Sequence, residues 1–510
     1  MKIYFILMML FTIGFVGVRM VMRTEVRRHF GLGLYAAFAL ILLSGFLLKG
    51  GGAFVAIAGI VLLMSARTGV EAICRLAALV PLLPNVIYHV QAAGLYFLDL
   101  TTVNCLTLGA LLACLIYPRL PARRGVSKED LIVLLLMIIF SVLKTRNYSP
   151  TVLPRETLSV LIYLGFPYFV FSRFVRDRAQ FAQVVAVLGG AAMILAVVAM
   201  YEAQFHWSVF ERVWVNQSTV EFLSRNLRVR AGLLRTPTAF QESTSFAVFQ
   251  LVGIFAIIAS RRAFRNRLFW FGSIALTVIG LLTAQSRGAD LALLAGIFAL
   301  LVMRRRFGAA LAMAVSAAAL VASLIAIAPS VPKVAALLGM DSGFGSDADY
   351  RQLLLRRGLQ EGLKHPLLGD DLGRVTARLA DITQGEGIVD LVNTYLVIFL
   401  SSGAIGLGLF AVLLALIGRD LWRLGPMRRG DPADITLHSF VASALTGALV
   451  ALAFTSFWER NPYWLMILFA GSRALTLRRT TRVAAPLQPA NPLPGSKLVH
   501  QTPELGSRGA

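Results

Sequence analysis

Charge is what this sequence has least of. Charged residues fill only 15% of its 510 positions, against about 25% in a soluble globular chain, while 57% are hydrophobic and the mean hydropathy is +0.73. A soluble protein of this size has no interior large enough to hide that much apolar surface. That excludes a soluble enzyme and makes lipid the solvent for most of the chain. Acids are scarcer than bases: 26 Asp+Glu stand against 49 Lys+Arg, a net charge of +23. In a soluble protein such an excess points to nucleic acid. In a membrane protein, cytoplasmic loops collect Lys and Arg, and that effect accounts for most of the excess, so no nucleic-acid partner is expected. There are only three cysteines, Cys74, Cys105 and Cys114, all in apolar stretches and none in a CxxC spacing. They read as small buried hydrophobes rather than as metal or redox groups. No Walker-type glycine-rich loop is present, which argues against nucleotide hydrolysis. No HExxH or Cys/His cluster suggests zinc, and His206 and His365, the histidines expected on the outer face, lack metal-ligand spacing. The expectation is therefore no metal and no cofactor. No small-residue cleavage site follows the first apolar run, Ile3 to Val21; Arg23, Arg27 and Arg28 follow it instead, so it reads as a retained helix.

What is abundant is apolar sequence in runs of membrane-spanning length. Backbone in lipid must satisfy its own polar groups, so these runs are read as helices. They lie near 3–22, 32–48, 52–66, 75–91, 98–117, 129–143, 156–172, 182–201, 244–260, 267–284, 288–303, 308–328, 391–418, 437–456 and 462–476. Pro81 and Pro84 interrupt the run at 75–91, which leaves its full crossing open. The expected fold is all-α, a polytopic membrane helix bundle of about 13–15 transmembrane helices. Residues 1–94 supply N-terminal helices, 95–476 a membrane core with outer loops near 202–243 and 329–390, and 477–510 a polar, Pro- and Gly-rich cytoplasmic tail.

The basic clusters test this arrangement. Arg119, Arg123 and Arg124 precede one pair of spans, and Arg173, Arg176 and Arg178 follow it. Arg261, Arg262, Arg265 and Arg267, then Arg304 to Arg306, then Arg419, Arg423, Arg428 and Arg429, then Arg478, Arg479 and Arg482 come at successive two-span intervals. All can be cytoplasmic at once. The opposite face then receives the loop from Tyr201 to Thr244, the turn Gln285-Ser286-Arg287-Gly288, the long loop from Pro329 to Asp390, and short turns at Lys144 to Glu156 and Trp458 to Asn461. Arg287 lies at the outer end of a span, against the positive-inside bias. Such an arginine is a snorkelling residue or a paired, functional one, and Asp290, one turn on, is a structural partner within reach.

The outer loops are rich in guanidinium. The first carries Arg212, Arg225, Arg228, Arg230 and Arg235 among Glu202, Glu211, Glu221 and Glu242. The second carries Asp341, Asp347, Asp349, Arg351, Arg356, Arg357, Lys364, His365, Asp370, Asp371, Arg374, Arg378, Asp381, Glu386 and Asp390. Tyr350 to Lys364 has an amphipathic helical pattern, with Leu354, Leu355, Leu359 and Leu363 on its apolar side. Most of these charges read as a solvated face. The arginine excess nevertheless suits an oligophosphate, because the planar fork takes two phosphate oxygens at once and its charge stabilises a departing pyrophosphate. Gly50-Gly51-Gly52 reads as a tight turn, and the Gly403, Gly406 and Gly408 series as close helix contact.

Three segments carry a resemblance: Ala284-Gln285-Ser286-Arg287-Gly288-Ala289; His365-Pro366-Leu367-Leu368-Gly369 preceded by Arg351 and the amphipathic stretch; and Asn393-Thr394-Tyr395 running into Ser402-Gly403-Ala404-Ile405-Gly406. Arg235-Thr236-Pro237-Thr238-Ala239-Phe240 is a looser fourth. In this order, over roughly residues 95–475, they resemble the O-antigen ligase/polymerase family of bacterial polysaccharide enzymes. The resemblance implies a GT-C type glycosyltransferase of the inner membrane, with its active face periplasmic. Its donor would be a glycan on undecaprenyl pyrophosphate, without nucleotide sugar or metal. Its partners would be that lipid-linked glycan, inner-membrane lipid and other polysaccharide assembly and export proteins. By position, Arg287 would hold the pyrophosphate, Arg351 or Arg357 would be the loop arginine, and Arg230 or Arg235 a second clamp. His365, Asn393 and Tyr395 would contribute to substrate binding. Where ligases of the family carry histidine this chain has Val392, which cannot take a proton. Asp390, with Glu386 and Asp371 as alternatives, is the expected carboxylate, and the missing histidine favours a polymerase of repeat units over a ligase to lipid A core or another acceptor. The competing classes are a transporter or flippase, which predicts mid-span charges and inverted repeats, and a non-catalytic subunit of an export complex.

Overall fold

A computed structural model describes residues 2–92, 95–117, 125–146, 152–217, 229–230, 233–331, 347–383, 389–424, 432–456 and 460–476. Expectations placed on Arg119, Arg123, Arg124, Glu221, Arg225, Arg228, Asp341, Glu386, Arg428, Arg429, Trp458, Glu459 and the tail after 476 lie outside these residues, as does the side chain of Arg230.

The protein is an all-α helical bundle. In chain order the helices are α1 (Lys2–Val21), α2 (Leu32–Leu47), α3 (Gly52–Ser65), α4 (Gly69–Leu82), α5 (Thr102–Ile116), α6 (Lys128–Thr145), α7 (Val152–Phe174), α8 (Arg178–Phe205), α9 (Glu211–Gln217), α10 (Ser243–Ala259), α11 (Arg267–Thr283), α12 (Arg287–Met303), α13 (Phe307–Ile327), α14 (Asp347–Gly362), α15 (Leu372–Arg378), α16 (Thr394–Leu424), α17 (Pro432–Leu452) and α18 (Asn461–Thr476). Side-chain caps start many of them. Ser127 and Asp130 form a reciprocal capping box on α6, Asp177 caps α8 through Gln180 N at 2.8 Å, and Asn266 caps α11 through Phe269 N at 2.8 Å. The buried α8 is the spine, packed against α1, α4, α10 and α11.

Six helices are long and apolar enough to cross a membrane: Lys2–Val21, Thr24–Leu47, Val152–Phe174, Arg178–Phe205, Phe307–Ser330 and Thr394–Arg423. The exposed side of the bundle supports the same conclusion. Only 6% of the apolar window in Phe307–Ser330 is buried, and Leu311, Val315, Leu320, Val321 and Ile325 all face outward. A helix that is apolar all round and uncovered by protein has lipid as its surroundings.

Every expected apolar run corresponds to a helix except the one at 75–91. There the helix runs from Gly69 to Leu82, and Ile87–Ala92 (β1) turns back to pair antiparallel with Leu95–Thr101 (β2). Pro84 and the cap of α5 by Thr101, which accepts from Asn104 N at 3.1 Å, separate hairpin from helices. The run expected from 98 accordingly begins as strand.

The two ends of the bundle differ. At one end Arg173 bonds Asp130 at 3.1 Å and Gly125 O at 2.8 Å, Arg473 pairs with Glu129, and Arg178 donates to Leu475 O at 3.1 Å. Arg23 there donates to Phe264 O at 3.1 Å. Arg265 donates to Met22 O at 3.3 Å. This basic end collects arginines from the clusters recognised in the sequence. At the other, loop end, Thr236 N bonds Thr283 O at 3.2 Å, and Arg460 donates to Val80 O at 2.7 Å and to Ala239 O at 2.5 Å.

Helix α16 is broken. Gly403 has φ 62° and ψ −162°, a conformation open essentially to glycine alone. The break frees backbone groups that lipid cannot satisfy, and the segment after α14 satisfies them. Ala404 N donates to Pro366 O at 2.8 Å, Ile405 N to Leu367 O at 3.2 Å, and Asp370 N to Leu400 O at 2.7 Å. Gly369, with φ +65°, allows the return, since a Cβ there would lie 2.4 Å from Leu400 O. The three clustered glycines thus have different roles, not the shared helix contact expected of them. Gly403 makes the break, Gly406 leaves room for the Ser402 side chain, and a Cβ on Gly408 would meet nothing within 4 Å.

Gly403→Ala is expected to destabilise the protein by about 1–3 kcal/mol, because its Cβ would also lie 2.2 Å from Leu367 C. Gly408→Ala is expected to be neutral or stabilising by up to about 1 kcal/mol. Thermal unfolding of the two variants in the same detergent checks the contrast; equal midpoints would contradict the role given to the break.

Candidate functional site

The loop end gathers side chains from five separate stretches of sequence. The turn between α11 and α12 is pinned first. Thr236 and Thr283 share a hydroxyl hydrogen bond at 2.8 Å, and Arg235 Nε donates to Ala284 O at 3.4 Å. Gln285 takes φ 49°, reversing the chain so that Ser286 starts α12. Arg287 is the first residue of that helix and is half-buried rather than fully solvated. Asp290 stands in the same first turn.

Gly288 then meets the end of α17. A Cβ on Gly288 would lie 2.5 Å from Phe454 Cβ, so the backbone of α12 lies directly against Phe454. The Phe454 carbonyl accepts from Arg351 Nη1 at 3.1 Å. Thr394 Oγ1 donates to Thr455 O at 2.8 Å, and Ser456 Oγ to Leu391 O at 3.3 Å. Arg235 is thus tied to the turn that carries Arg287, and Arg351 to the residue packed on the neighbouring Gly288.

Arg351 reaches this place because of how α14 packs. Its inward stripe is Leu354, Gly358 and Gly362, lying against Leu396, Phe399 and Leu400 of α16. This corrects the expected apolar side. The helix spans Asp347–Gly362, and of the four expected leucines only Leu354 is buried; Leu355, Leu359 and Leu363 are 44%, 44% and 67% exposed. Glycines let two backbones approach more closely than leucines would. Arg357 projects elsewhere. It pairs with Asp381 at 2.5 Å, both about half exposed, an arrangement worth about 0–1 kcal/mol. Of the two loop arginines, Arg351 is the one the fold brings toward Arg287.

The remaining candidates divide. Asn393 Oδ1 accepts from Leu396 N at 3.1 Å and so caps α16. The Tyr395 hydroxyl donates to Leu449 O at 2.7 Å, which commits it to holding α16 against α17. The Asp390 carbonyl accepts from Tyr350 OH at 3.0 Å, placing this residue beside α14 and one step from the Leu391–Ser456 contact. Asp371 caps α15, accepting from Arg374 N at 3.2 Å. Val392 packs against the small cluster of Leu354, Val375, Leu379, Ile382, Leu396 and Leu400, so the position is an apolar contact here. The backbone of Arg230 pairs with Leu233 in a two-residue hairpin. His365 is exposed at the head of the turn docked into the break of α16, and its Nε2 lies 3.8 Å from Asp370 Oδ2. That makes it a turn residue, not a lining of the arginine group.

Sequence reading passes over Arg460, which is fully buried. Its guanidinium donates to Val80 O at 2.7 Å, Pro81 O at 3.3 Å and Ala239 O at 2.5 Å, and stands 4.2 Å from the centroid of the Phe240 ring. It therefore joins α4, the 235–242 segment and α18. Arg146 is passed over as well; its Nη1 donates to Leu368 O at 2.9 Å and ties the end of α6 to the docked turn. An arginine in a four-residue turn between two apolar runs is the available signal for Arg460. Among the described residues, no group of three or more His, Cys, Asp or Glu could hold a metal ion.

A salt-linked cluster braces the docked turn from its exposed side. Lys364 bonds Glu361 at 2.5 Å, and Arg378 bonds Glu361 at 2.9 Å and Asp370 at 2.6 Å. The Glu361 carboxyl is held below its ordinary range, first by the hydrogen bond from Lys364 and then with help from Arg378. For Asp370 burial pushes upward, but the hydrogen bond and charge of Arg378 outweigh it and the net direction is down. Carboxylates with lowered folded pKa contribute stability above their unfolded pKa and lose it as pH falls through the folded value. Amide exchange over 361–378, corrected for intrinsic rates, is therefore expected to stay level from about pH 7 to about pH 5 and to rise below about pH 4. A rise toward alkaline pH instead would reverse the assigned sign.

No family model matches the chain, and no curated protein matches it.

Proposed function

We propose that this protein is a membrane glycosyltransferase that polymerises undecaprenyl-pyrophosphate-linked oligosaccharide repeat units at the periplasmic face of a bacterial inner membrane. The single observation that carries the reading is the assembly, at the end of the bundle opposite the basic clusters, of Arg235, Arg287 and Arg351 from three distant stretches of sequence. The positive-inside bias puts the basic clusters in the cytoplasm and hence this end outside. Guanidinium groups there, half-buried at the edge of an apolar bundle, suit a diphosphate whose polyprenyl tail lies in lipid.

In the proposed reaction a hydroxyl oxygen of the acceptor glycan attacks the anomeric carbon of the donor. The bond from that carbon to the pyrophosphate oxygen breaks through an oxocarbenium-like state, and its electron pair leaves with undecaprenyl pyrophosphate. Arg287 and Arg351 stabilise the charge that builds on the leaving group, with Arg235 supporting the turn that carries Arg287. The proton of the acceptor hydroxyl passes to a carboxylate, for which Asp390 is the candidate. Val392, packed among aliphatic side chains, has no part in proton transfer, which favours a polymerase over a histidine-dependent ligase.

Deletion of the gene is expected to leave single repeat units on the lipid carrier and no long chains, read by gel and mass analysis of lipid-linked glycans. Full-length polymer stranded on the carrier would indicate a ligase, and unaltered glycan would remove both enzymatic readings. In a complemented strain, Arg287→Lys and Arg351→Lys are each expected to lower transfer at least about tenfold, since a point charge replaces a two-pronged donor. Arg357→Lys is expected to leave chain length unchanged. Normal polymer from the first two variants at normal protein levels would overturn the role given to them.

A further inference from the structure

The β-hairpin that replaces the expected span at 75–91 forms one wall of a cavity of about 230 Å³. Asn85, Tyr96, Asp99, Thr101 and Asn104 line it from the hairpin and the start of α5. Lys144 lines it from the end of α6, Glu156, Ser159 and Tyr163 from α7, and Gln241 from the segment before α10. It is a cleft half open to the outside, bounded also by Ile87, Val160 and Leu164; most of its wall is apolar, with amides, hydroxyls and charges set into it.

Three features mark it as built for a ligand. The first is Asn104, 4% exposed, whose Oδ1 has no hydrogen-bond partner among the described residues. A buried carbonyl oxygen left unsatisfied is unfavourable, unless something enters the cavity to donate to it. The second is the turn Leu161–Gly165 of α7, which is π-helical and sets Tyr163 and Leu164 at the cavity wall. Such single π turns recur at functional sites. The third is the charge balance. Lys144 pairs with Glu156 at 2.6 Å, His89 with Asp99 at 2.5 Å, and the Arg155 guanidinium stands 4.7 Å from the centroid of the Tyr96 ring. Burial, followed by its hydrogen bond to Asp99, pushes the Tyr96 hydroxyl up to about 12.

The lining contains both donors and acceptors, and its two acids, Asp99 and Glu156, outnumber its one cation, Lys144, which suits a neutral ligand better than a diphosphate. Hydroxyl groups both donate and accept, and a sugar ring also offers an apolar face to tyrosine. The volume is below the roughly 300–1,000 Å³ of pockets for drug-sized ligands, as suits one or two sugar rings. We propose that the cavity is a saccharide subsite that takes uncharged, polyhydroxylated sugar residues. On the transferase reading above, on which this assignment of the sugar rests, it holds the acceptor end of the glycan. The distance is compatible. Gln241 lies six residues after Arg235, a span of at most roughly 20 Å, shortened by the turn in which Phe240 N bonds Pro237 O at 2.9 Å.

The test is saturation-transfer NMR on the full-length protein in nanodiscs, with a neutral hexose, a 6-deoxyhexose, an N-acetylhexosamine, a uronic acid and inorganic pyrophosphate as separate probes. At least one neutral sugar is expected to show transfer in the wild-type protein and in Arg287→Lys. That signal should be lost in Asn104→Leu, and also in Ser159→Phe, which fills the cavity from a different helix and guards against misfolding of the first variant. Uronic acid is expected to bind more weakly than the neutral sugars, and pyrophosphate is expected not to compete. No signal with any neutral sugar, or a signal that survives both cavity variants, overturns the proposal; so does its loss in Arg287→Lys. Sugar binding that follows this pattern in a strain whose glycan is unaltered by deletion would keep the subsite and reject the transferase.

Discussion

The architecture of the loop end depends on one backbone exchange. When α16 breaks at Gly403, the amides of Ala404 and Ile405 lose their helical acceptors and the Leu400 carbonyl loses its donor. The turn from Pro366 to Asp370 replaces all three. Unsatisfied peptide groups in an apolar environment are costly enough to forbid the break without that turn. The turn also fixes where α14 can lie, because it joins the C-terminal end of that helix to the middle of α16. The glycine stripe of α14 then seats against Leu396, Phe399 and Leu400, and Arg351 arrives at Phe454. A polar helix is therefore positioned by hydrogen bonds made at the break of an apolar helix of spanning length.

Much of this is legible in the sequence. Apolar runs of spanning length mark the helices, because lipid leaves the backbone few alternatives. The spacing of basic clusters anticipates that arginines gather at one end, and the segments around Arg287, Pro366 and Gly403 stand out by their motifs alone. What composition does not encode is which of two similar residues faces inward. Arg351 and Arg357 are six positions apart, about 120° around a helix, so only one can face α16. That choice turns on Gly358 and Gly362, residues a search for leucines overlooks. The hairpin escapes for a related reason. Ile87, Val90, Leu95 and Leu98 are as apolar as a helix interior, and hydropathy cannot separate a short apolar strand from a short helix.

Arg460 and the cavity share a further lesson. Both depend on groups far apart in the chain: the guanidinium on carbonyls of Val80, Pro81 and Ala239, and the cavity on residues from Asn85 to Gln241. Neither leaves a local motif. The proposed division of labour, with guanidinium for phosphate and amides and hydroxyls for sugar, is therefore visible only after folding, although each residue type is ordinary where it stands.

The Arg460 junction also constrains the order in which the molecule can be built. The carbonyls it receives at Val80 and Ala239 lie 380 and 221 positions earlier. Segments are synthesised from the N-terminus onward, so α4 and the 235–242 stretch emerge and enter the bilayer long before their common cation exists. Until Arg460 and α18 are in place those acceptors lack this donor, so the junction between α4 and the 235–242 stretch is made only at the last helix.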